Sequence, residues 1–320
     1  MRVLLVGLGR WGEKHLRVLR ELGVEVWVAD VTQAGRDRAI ARAVEAERVV
    51  IDYREALPRV DAVDVVTPAD SHSTIVIECL AAGRPCFVEK PLAAAAKEGR
   101  AVAAAACAAG RVVQVGHVFR FHPATAAIRH ALDDGRIGRV RFATGRFAGF
   151  KRPRSDVGVT WTDGIHYFDL FAYLLGRQPT RVLAVQRDFL GRGLDDMAIT
   201  VVSYGDIETV VESNYFVPGT QRECVVVGEH GSLVADYGLG TVSLHRGEHR
   251  RGASGWEAID LGKEDLTTAG AEPLRAELQA FLGACAGQVP NAVPPEDGVR
   301  ALEVAEAAAR SAVLGCAVTL

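Results

Sequence analysis

A chain of 320 residues is too long for one ordinary hydrophobic core and suits two domains, and 49% hydrophobic with 24% charged residues is the balance of a soluble globular protein. A formal net charge of -3 supplies no field that would gather a polyanion, which excludes nucleic acid as the main partner. Cys79, Cys86, Cys107, Cys224, Cys285 and Cys316 form no C-x-x-C pair, so neither a zinc knuckle nor a disulfide framework is indicated, no metal is expected, and free thiols in a reducing cytoplasm are. The apolar run Met1 to Val6 is too short for a signal peptide before Arg10 and Glu13 interrupt it, and the alanine-rich stretch Ala93 to Ala109 holds Lys97, Glu98 and Arg100. That stretch reads as a soluble helix, so no membrane partner is expected. There is no internal repeat and no low-complexity linker.

Arg2 to Val6 reads as a strand that runs into Gly7-Leu8-Gly9-Arg10-Trp11-Gly12 and then into a helix over Lys14 to Leu22. Gly7 permits the tight turn, Gly9 lets backbone approach a pyrophosphate, and Gly12 lets the helix pack close to the sheet. Phosphates would sit on the free N–H groups at the helix start, which makes the whole run from Gly7 to Gly12 a candidate cofactor loop. A second strand, Val24 to Ala29, ends in Asp30 at the spacing a dinucleotide fold requires. A carboxylate there accepts hydrogen bonds from ribose hydroxyls and repels a 2′-phosphate, which predicts NAD over NADP. Arg36 and Arg38 are assigned to the solvated face of the next helix.

Strands follow at Val49 to Ile51 and Val63 to Val66, the second ending in Thr67-Pro68 before a helix over Thr74 to Ala82. Thr67 and Pro68 sit at a strand's carboxyl end and join the cofactor candidates. His72 has two readings, lining the cofactor pocket or capping and packing. The stretch Cys86 to Leu92, CFVEKPL, ends a buried strand at the edge where open α/β sheets bind ligands. Pro91 would hold Lys90 extended instead of letting it wind into the next helix, so Lys90 is a candidate proton donor or acceptor, and a solvated strand-exit lysine is the alternative. Strand and helix alternate as far as Val118, which predicts a doubly wound Rossmann domain over residues 1–118.

Residues 119–320 change character and are expected to form an α+β domain for substrate binding and oligomerisation. Phe119-Arg120-Phe121-His122-Pro123 leads into a helix through Leu132, and Val140 to Phe147 reads as a strand. Arg146 to Ser155 holds Arg146, Lys151, Arg152 and Arg154 among Phe147 and Phe150, readable as an anion clamp or as a solvated basic loop. One helix is expected from Thr160 to Gly176, placing His166, Asp169 and Tyr173 on one face, where Asp169 could orient the imidazole. Alternating segments from Val182 to His245 with glycines at the turns predict a large, mostly antiparallel sheet built by meanders. Helices over Glu272 to Ala286 and Glu296 to Ala312 can cover one face of it. The other face carries valines and aromatics and needs burial, which predicts a homodimer or homotetramer formed through this sheet.

Together Gly7 to Gly12, Thr67-Pro68 with His72, Glu89-Lys90-Pro91, Arg120-Phe121-His122-Pro123, Gly164-Ile165-His166 with Asp169, and the Gly228 to Asp236 turn and strand make the chain resemble the glucose-fructose oxidoreductase and inositol dehydrogenase (Gfo/Idh/MocA) family along nearly its whole length. The resemblance implies an NAD(P)-dependent oxidoreductase acting on a hydroxyl of a sugar or cyclitol, with the substrate phosphorylated or nucleotide-linked if the basic loop binds anions. It implies Lys90 and His166 as the catalytic pair, Glu89 and Lys90 beside the cofactor, and Arg120, Lys151, Arg152 and Tyr167 as further substrate contacts. Many members look like Asp-x-Gly-x-His at the start of the histidine helix; here that acid position is Thr162 and the acid is Asp163. One residue rotates a side chain about 100° around a helix, so support from Thr162, Asp163 or Asp169 stays open.

Oxidising a carbinol requires loss of a hydride and of one proton. His166 is expected to exchange that proton while a cationic Lys90 stabilises the developing alkoxide, and the reverse assignment stays open. Two other classes stand beside this one: a non-catalytic NAD-sensing or scaffold protein, and a semialdehyde dehydrogenase with a nucleophilic cysteine, for which Cys224 is the candidate.

Overall fold

The computed structural model describes residues 1–154 and 156–320; Ser155, the last residue of the basic stretch, lies outside them. Contacts divide the chain into two compact units, Met1–Val118 with Glu272–Leu302, and Phe119–Ala271 with Glu303–Leu320.

In the first unit the elements alternate as β1 (Arg2–Val6), α1 (Gly12–Glu21), β2 (Glu25–Ala29), α2 (Gln33–Ala41), β3 (Val49–Val50), β4 (Ala62–Val65), α3 (Ala69–Ala81), β5 (Cys86–Glu89), α4 (Ala96–Ala109) and β6 (Val113–Gly116). Val3, Leu4 and Leu5 are all fully buried, because a strand covered by helices on both faces has no solvent side. The strands pair in parallel in the order β3-β2-β1-β4-β5-β6. The order reverses between β1 and β4, and ligands of such sheets bind at the carboxyl ends of the strands flanking that reversal. Gly7 and Thr67 follow these two ends, and Asp30 and Lys90 follow the carboxyl ends of the neighbouring strands β2 and β5.

The second unit begins with α5 (Pro123–Asp133) and β7 (Val140–Gly149), then a π-helical turn over Thr160–Gly164 that runs into α6 (Ile165–Leu175). There follow β8 (Arg181–Arg187), β9 (Met197–Tyr204), β10 (Ile207–Asn214), β11 (Thr220–Gly228), β12 (Gly231–Asp236), β13 (Thr241–Gly252) and β14 (Gly255–Asp265). Last come α7 (Pro273–Cys285), α8 (Pro295–Leu314) and β15 (Val318–Thr319). The sheet order is β14-β13-β12-β11-β7-β10-β9-β8-β15, antiparallel except between β7 and β10. Meanders therefore account for its two flanks, while β7, first in the chain, inserts at the centre. β14 carries almost no buried side chain, and it is held by backbone pairing along the β13 hairpin, from Ser243↔Asp265 to Gly252↔Gly255.

Cross-strand partners share a face. Leu183 opposite Val201, Val185 opposite Ile199, Val210 opposite Val201, and Phe142 opposite Val227 therefore place a row of apolar side chains on one side of the sheet. Leu183, Val185, Ile199 and Phe142 are exposed there. One expected covering helix is elsewhere: Leu274, Leu278 and Phe281 of α7 join Leu5, Leu16, Leu19 and Phe87 in the core of the first unit, with Phe281 edge-on to Phe87 at 5.8 Å. The apolar stripe of α7 fits either sheet, and its sequence carries no mark of which one it meets.

Candidate functional site

The cofactor loop is built on steric necessity. Gly7 has φ +94°, and a Cβ there would stand 2.6 Å from the Val66 carbonyl oxygen; a Cβ on Gly12 would stand 2.1 Å from that of Gly7. Only glycine fits either position. The turn is locked to the end of β2 by its own backbone: Leu8 N–H donates to Asp30 Oδ2 at 2.8 Å, and Thr32 donates to Oδ1 from N–H at 2.8 Å and from Oγ1 at 2.6 Å. Burial pushes the Asp30 carboxyl up, yet these hydrogen bonds and Arg38 together outweigh it and hold Asp30 below the usual carboxylate range. Asp30 is therefore ionised and aimed.

The two arginines assigned to a solvated helix face are not there. Arg36 Nη1 donates to the Asp30 carbonyl at 2.8 Å, and Arg38 Nε donates to the Leu8 carbonyl at 2.9 Å. Both fold back because strand-end carbonyls beside a carboxylate are the nearest unpaired acceptors. A cleft of about 490 Å³ is lined by Gly7, Gly9, Asp30, Arg38, Thr67 and Pro68 among others. Its glycine backbone, strand-end acid and walls suit a dinucleotide, and Arg38 lines the cleft beside the residues expected from the sequence.

At the end of β5 a buried network, invisible to local sequence pattern, surrounds Glu89. Its Oε1 accepts from Trp11 Nε1 at 2.8 Å and lies 3.1 Å from His15 Nε2, and its Oε2 accepts from the Lys90 N–H at 3.1 Å. The other imidazole nitrogen, His15 Nδ1, lies 2.9 Å from Asp64 Oδ2 on β4. Burial pushes the His15 pKa down, but the charges and hydrogen bonds of Asp64 and Glu89 outweigh it and carry it up to about 10. Glu89 thus supports Lys90 from beneath, and Arg10 and Trp11 flank the same turn. An acid within the apolar run Ala62–Val65 is the one sequence signal for this network.

Lys90 is half-buried, and the Lys90–Pro91 peptide bond is cis. His72 is buried, with Nδ1 2.8 Å from the Pro91 carbonyl oxygen and Nε2 2.9 Å from that of Thr67. It ties two strand ends together, which decides for packing over lining the pocket.

In the second unit the expected single helix 160–176 begins as a wider turn, in which Ile165 N–H reaches the Thr160 carbonyl five residues back. Thr162 Oγ1 lies 2.7 Å from the Tyr215 hydroxyl, and Asp163 forms an ion pair of 2.7 Å with Lys151. His166 stacks on Phe119 with centroids 4.8 Å apart and on Phe147 at 5.3 Å. Asp169 takes a two-pronged pair from Arg120, whose Nε donates to Oδ2 at 2.8 Å. Arg120 thereby anchors α6 instead of standing open to substrate. Tyr167 is corrected as well: fully buried, its hydroxyl donates to the carbonyls of Glu223 at 2.6 Å and Arg146 at 3.1 Å, so it belongs to the core. Of the basic stretch, Arg146 pairs with Glu212 and Arg154 with Asp156, while Arg152 is exposed.

The chain resembles known proteins over its whole length. Residues 1–117 match the Gfo/Idh/MocA family described as an oxidoreductase family with an NAD-binding Rossmann fold, and residues 129–320 match its C-terminal alpha/beta domain. Inositol 2-dehydrogenase 1 of Saccharopolyspora erythraea is 31% identical, with 97% of this chain and 94% of that one covered. UDP-N-acetylglucosamine 3-dehydrogenase GnnA of Acidithiobacillus ferrooxidans has a similar structure, with TM-score 0.82, 25% identity and 97% of each chain covered. GenD2 from gentamicin A biosynthesis, solved in complex with NAD, gives TM-score 0.83 and 25% identity over 100% of this chain and 96% of that one.

Two outcomes follow from the geometry of the first unit. Replacing Asp30 by Ser removes a charged acceptor and should weaken NAD binding roughly 10- to 100-fold while narrowing the preference over NADP, with Arg38 left to meet the extra phosphate; unchanged dissociation constants for both cofactors would count against this role. His15 holds a proton in the folded state that the unfolded chain, with the ordinary value of 6.5, releases. Its contribution to stability is intact below pH 6.5 and is lost as pH rises toward 10, by up to about 1.4 kcal/mol per pH unit. His15→Gln should flatten that loss in urea unfolding across the window, and identical slopes would rule out the buried proton.

Proposed function

Because the chain belongs to the Gfo/Idh/MocA oxidoreductase family, we propose that it interconverts a secondary hydroxyl and ketone on a sugar or cyclitol, free, phosphorylated or nucleotide-linked, with NAD as its redox partner. The observation that carries this reading is the rigid support given to two proton-handling groups. Lys90 sits at the end of a buried strand with its N–H on Glu89, and His166 is stacked on Phe119 and Phe147. A scaffold protein has no use for either. The named relatives, which act on inositol and on UDP-N-acetylglucosamine, support the substrate class.

In this mechanism bound NAD supplies the acceptor for the hydride of the carbinol carbon. Gly7, Gly9 and the start of α1 would hold its phosphates, and Asp30 its ribose. His166 takes the hydroxyl proton, its ring packed against Phe119 and Phe147. Lys90 donates to the same oxygen and stabilises the alkoxide as it forms. Asp163 acts through Lys151, to which it is paired, and Thr162 holds Tyr215.

The cysteine-dependent alternative loses its nucleophile. Cys224 is fully buried and burial pushes its thiol up to about 12, so a thiolate is scarce at neutral pH. Among the described residues no helix is long and apolar enough to cross a membrane. All six cysteines are free, which supports work in a reducing cytoplasm.

The apolar face carrying Phe142, Leu183, Val185 and Ile199 supports a homodimer or homotetramer formed through the sheet. Light scattering should return twice or four times the chain mass for the wild type and a smaller species for Ile199→Lys with Leu183→Lys; a monomeric wild type would contradict the assembly. For the chemistry, Lys90→Ala and His166→Asn should each cut turnover roughly 100- to 10,000-fold in NADH absorbance assays on a panel of sugars, cyclitols and nucleotide sugars, with NAD binding retained. Wild-type rates in both variants would remove the assignment.

A further inference from the structure

The second unit contains cations that its own carboxylates do not neutralise, and they gather where His166 stands. Arg146, Lys151 and Arg154 are each paired with an acid, Glu212, Asp163 and Asp156. Arg222 is not. It lies on β11 directly opposite Phe147, with its guanidinium carbon 3.3 Å from the centre of the Phe147 ring. Its Nη1 donates to the carbonyls of Ala148 at 2.9 Å and Gln221 at 2.7 Å, and among the described residues no carboxylate pairs with it. Burial lowers its pKa from the ordinary arginine value, with Asp163 and Tyr167 opposing. A half-buried guanidinium with only carbonyl partners has paid much of its desolvation cost in advance of any counter-charge.

Arg192 is in a similar condition. Its Nη1 donates to the Arg154 carbonyl at 2.6 Å, but its Nε and Nη2 are buried with no hydrogen-bond partner among the described residues. Its guanidinium lies 6.0 Å from the centre of the Tyr215 ring, and Lys151 Nζ lies 5.4 Å from the same ring and 4.8 Å from that of Phe147. Three cations thus share a floor of two aromatic rings, one of which, Phe147, is also the ring His166 stacks on. The acids nearby are already engaged: Asp163 by Lys151, and Asp195 by the N–H and hydroxyl of Thr160, with burial pushing the Asp195 carboxyl up toward its neutral form.

We propose that Arg222, assisted by Arg192 and Lys151, binds an oxyanion carried by the substrate, a carboxylate or a phosphate, beside the hydroxyl that His166 serves. Arginine presents parallel donors matched to either group, and aromatic floors keep such a fork flat and oriented. The proposal rests on the dehydrogenase reading for the position of that hydroxyl. It makes the enzyme selective for acidic sugars over their neutral counterparts, because a neutral substrate would leave the guanidinium buried and unanswered.

The test uses the full chain with matched probes: D-glucose against D-glucuronate and D-glucose 6-phosphate, and N-acetylglucosamine against its UDP derivative. Binding to the NADH complex is measured by calorimetry and turnover with NAD by absorbance. At least one anionic probe should bind roughly tenfold or more tightly than its neutral partner, the carboxylate and phosphate arms showing which source the site takes. Arg222→Met should lose at least tenfold more affinity for that probe than for the neutral one, and Arg222→Lys should lose less. Equal losses for both members, or no binding of any anionic probe, would overturn the proposal. Selective binding without any hydride transfer would instead overturn the dehydrogenase reading and leave this site standing, so the two failures are distinct.

Discussion

A carboxylate buried at the end of a strand must find donors, and the way Glu89 finds them organises the carboxyl edge of the first unit's sheet around β5. Left alone, such a charge costs several kcal/mol. It is answered from three places in the sequence: Trp11 in the glycine turn, His15 one turn into α1, and the N–H of Lys90 itself. Asp64 on β4 holds the far side of the same imidazole. Cofactor loop and candidate catalytic lysine are thereby parts of one hydrogen-bonded body, and a disturbance at Trp11 reaches Lys90 through a single side chain. Dinucleotide folds need only the glycines for phosphate binding; this chain uses the neighbouring positions to fix the residue that follows β5.

The second unit positions its histidine by different means. The His166 ring stacks on Phe119 and Phe147, and α6 is kept in place by the Arg120–Asp169 pair and by the Tyr167 hydroxyl on two strand carbonyls. Polar residues that appear from the sequence to face a substrate are therefore the braces of the helix. Beside the buried imidazole stand the cations around Phe147 and Tyr215.

Much of this is legible in the sequence. A glycine turn between an apolar strand and a helix, and an acid at the end of the next strand, are local patterns whose meaning is set by steric and electrostatic rules, and β1, α1, β2 and Asp30 stand where those rules put them. What escaped is non-local. Arg38 turns back onto Leu8, and α7 packs beside Phe87 because its apolar stripe fits there. β14 buries no side chain and pairs through its backbone and the surface ion pairs of Glu264 with Arg246 and Glu257 with Arg250, so it leaves no buried hydrophobic alternation to read. The π-helical turn hides inside a segment whose apolar spacing suits an unbroken helix. His15, Asp64 and Arg222 gain their roles only from partners dozens of residues away.

Gly35 sits against the acid proposed to read the ribose: a Cβ built there would stand 2.1 Å from the Asp30 carboxyl carbon. Its backbone dihedrals are helical, so its constraint comes entirely from that neighbour. A methyl group at position 35 would displace the Asp30 carboxylate without touching its charge. Evolution or an engineer wishing to retune coenzyme choice thus has a second handle five residues downstream, one that acts by steric displacement and leaves every charged side chain of the loop in the sequence.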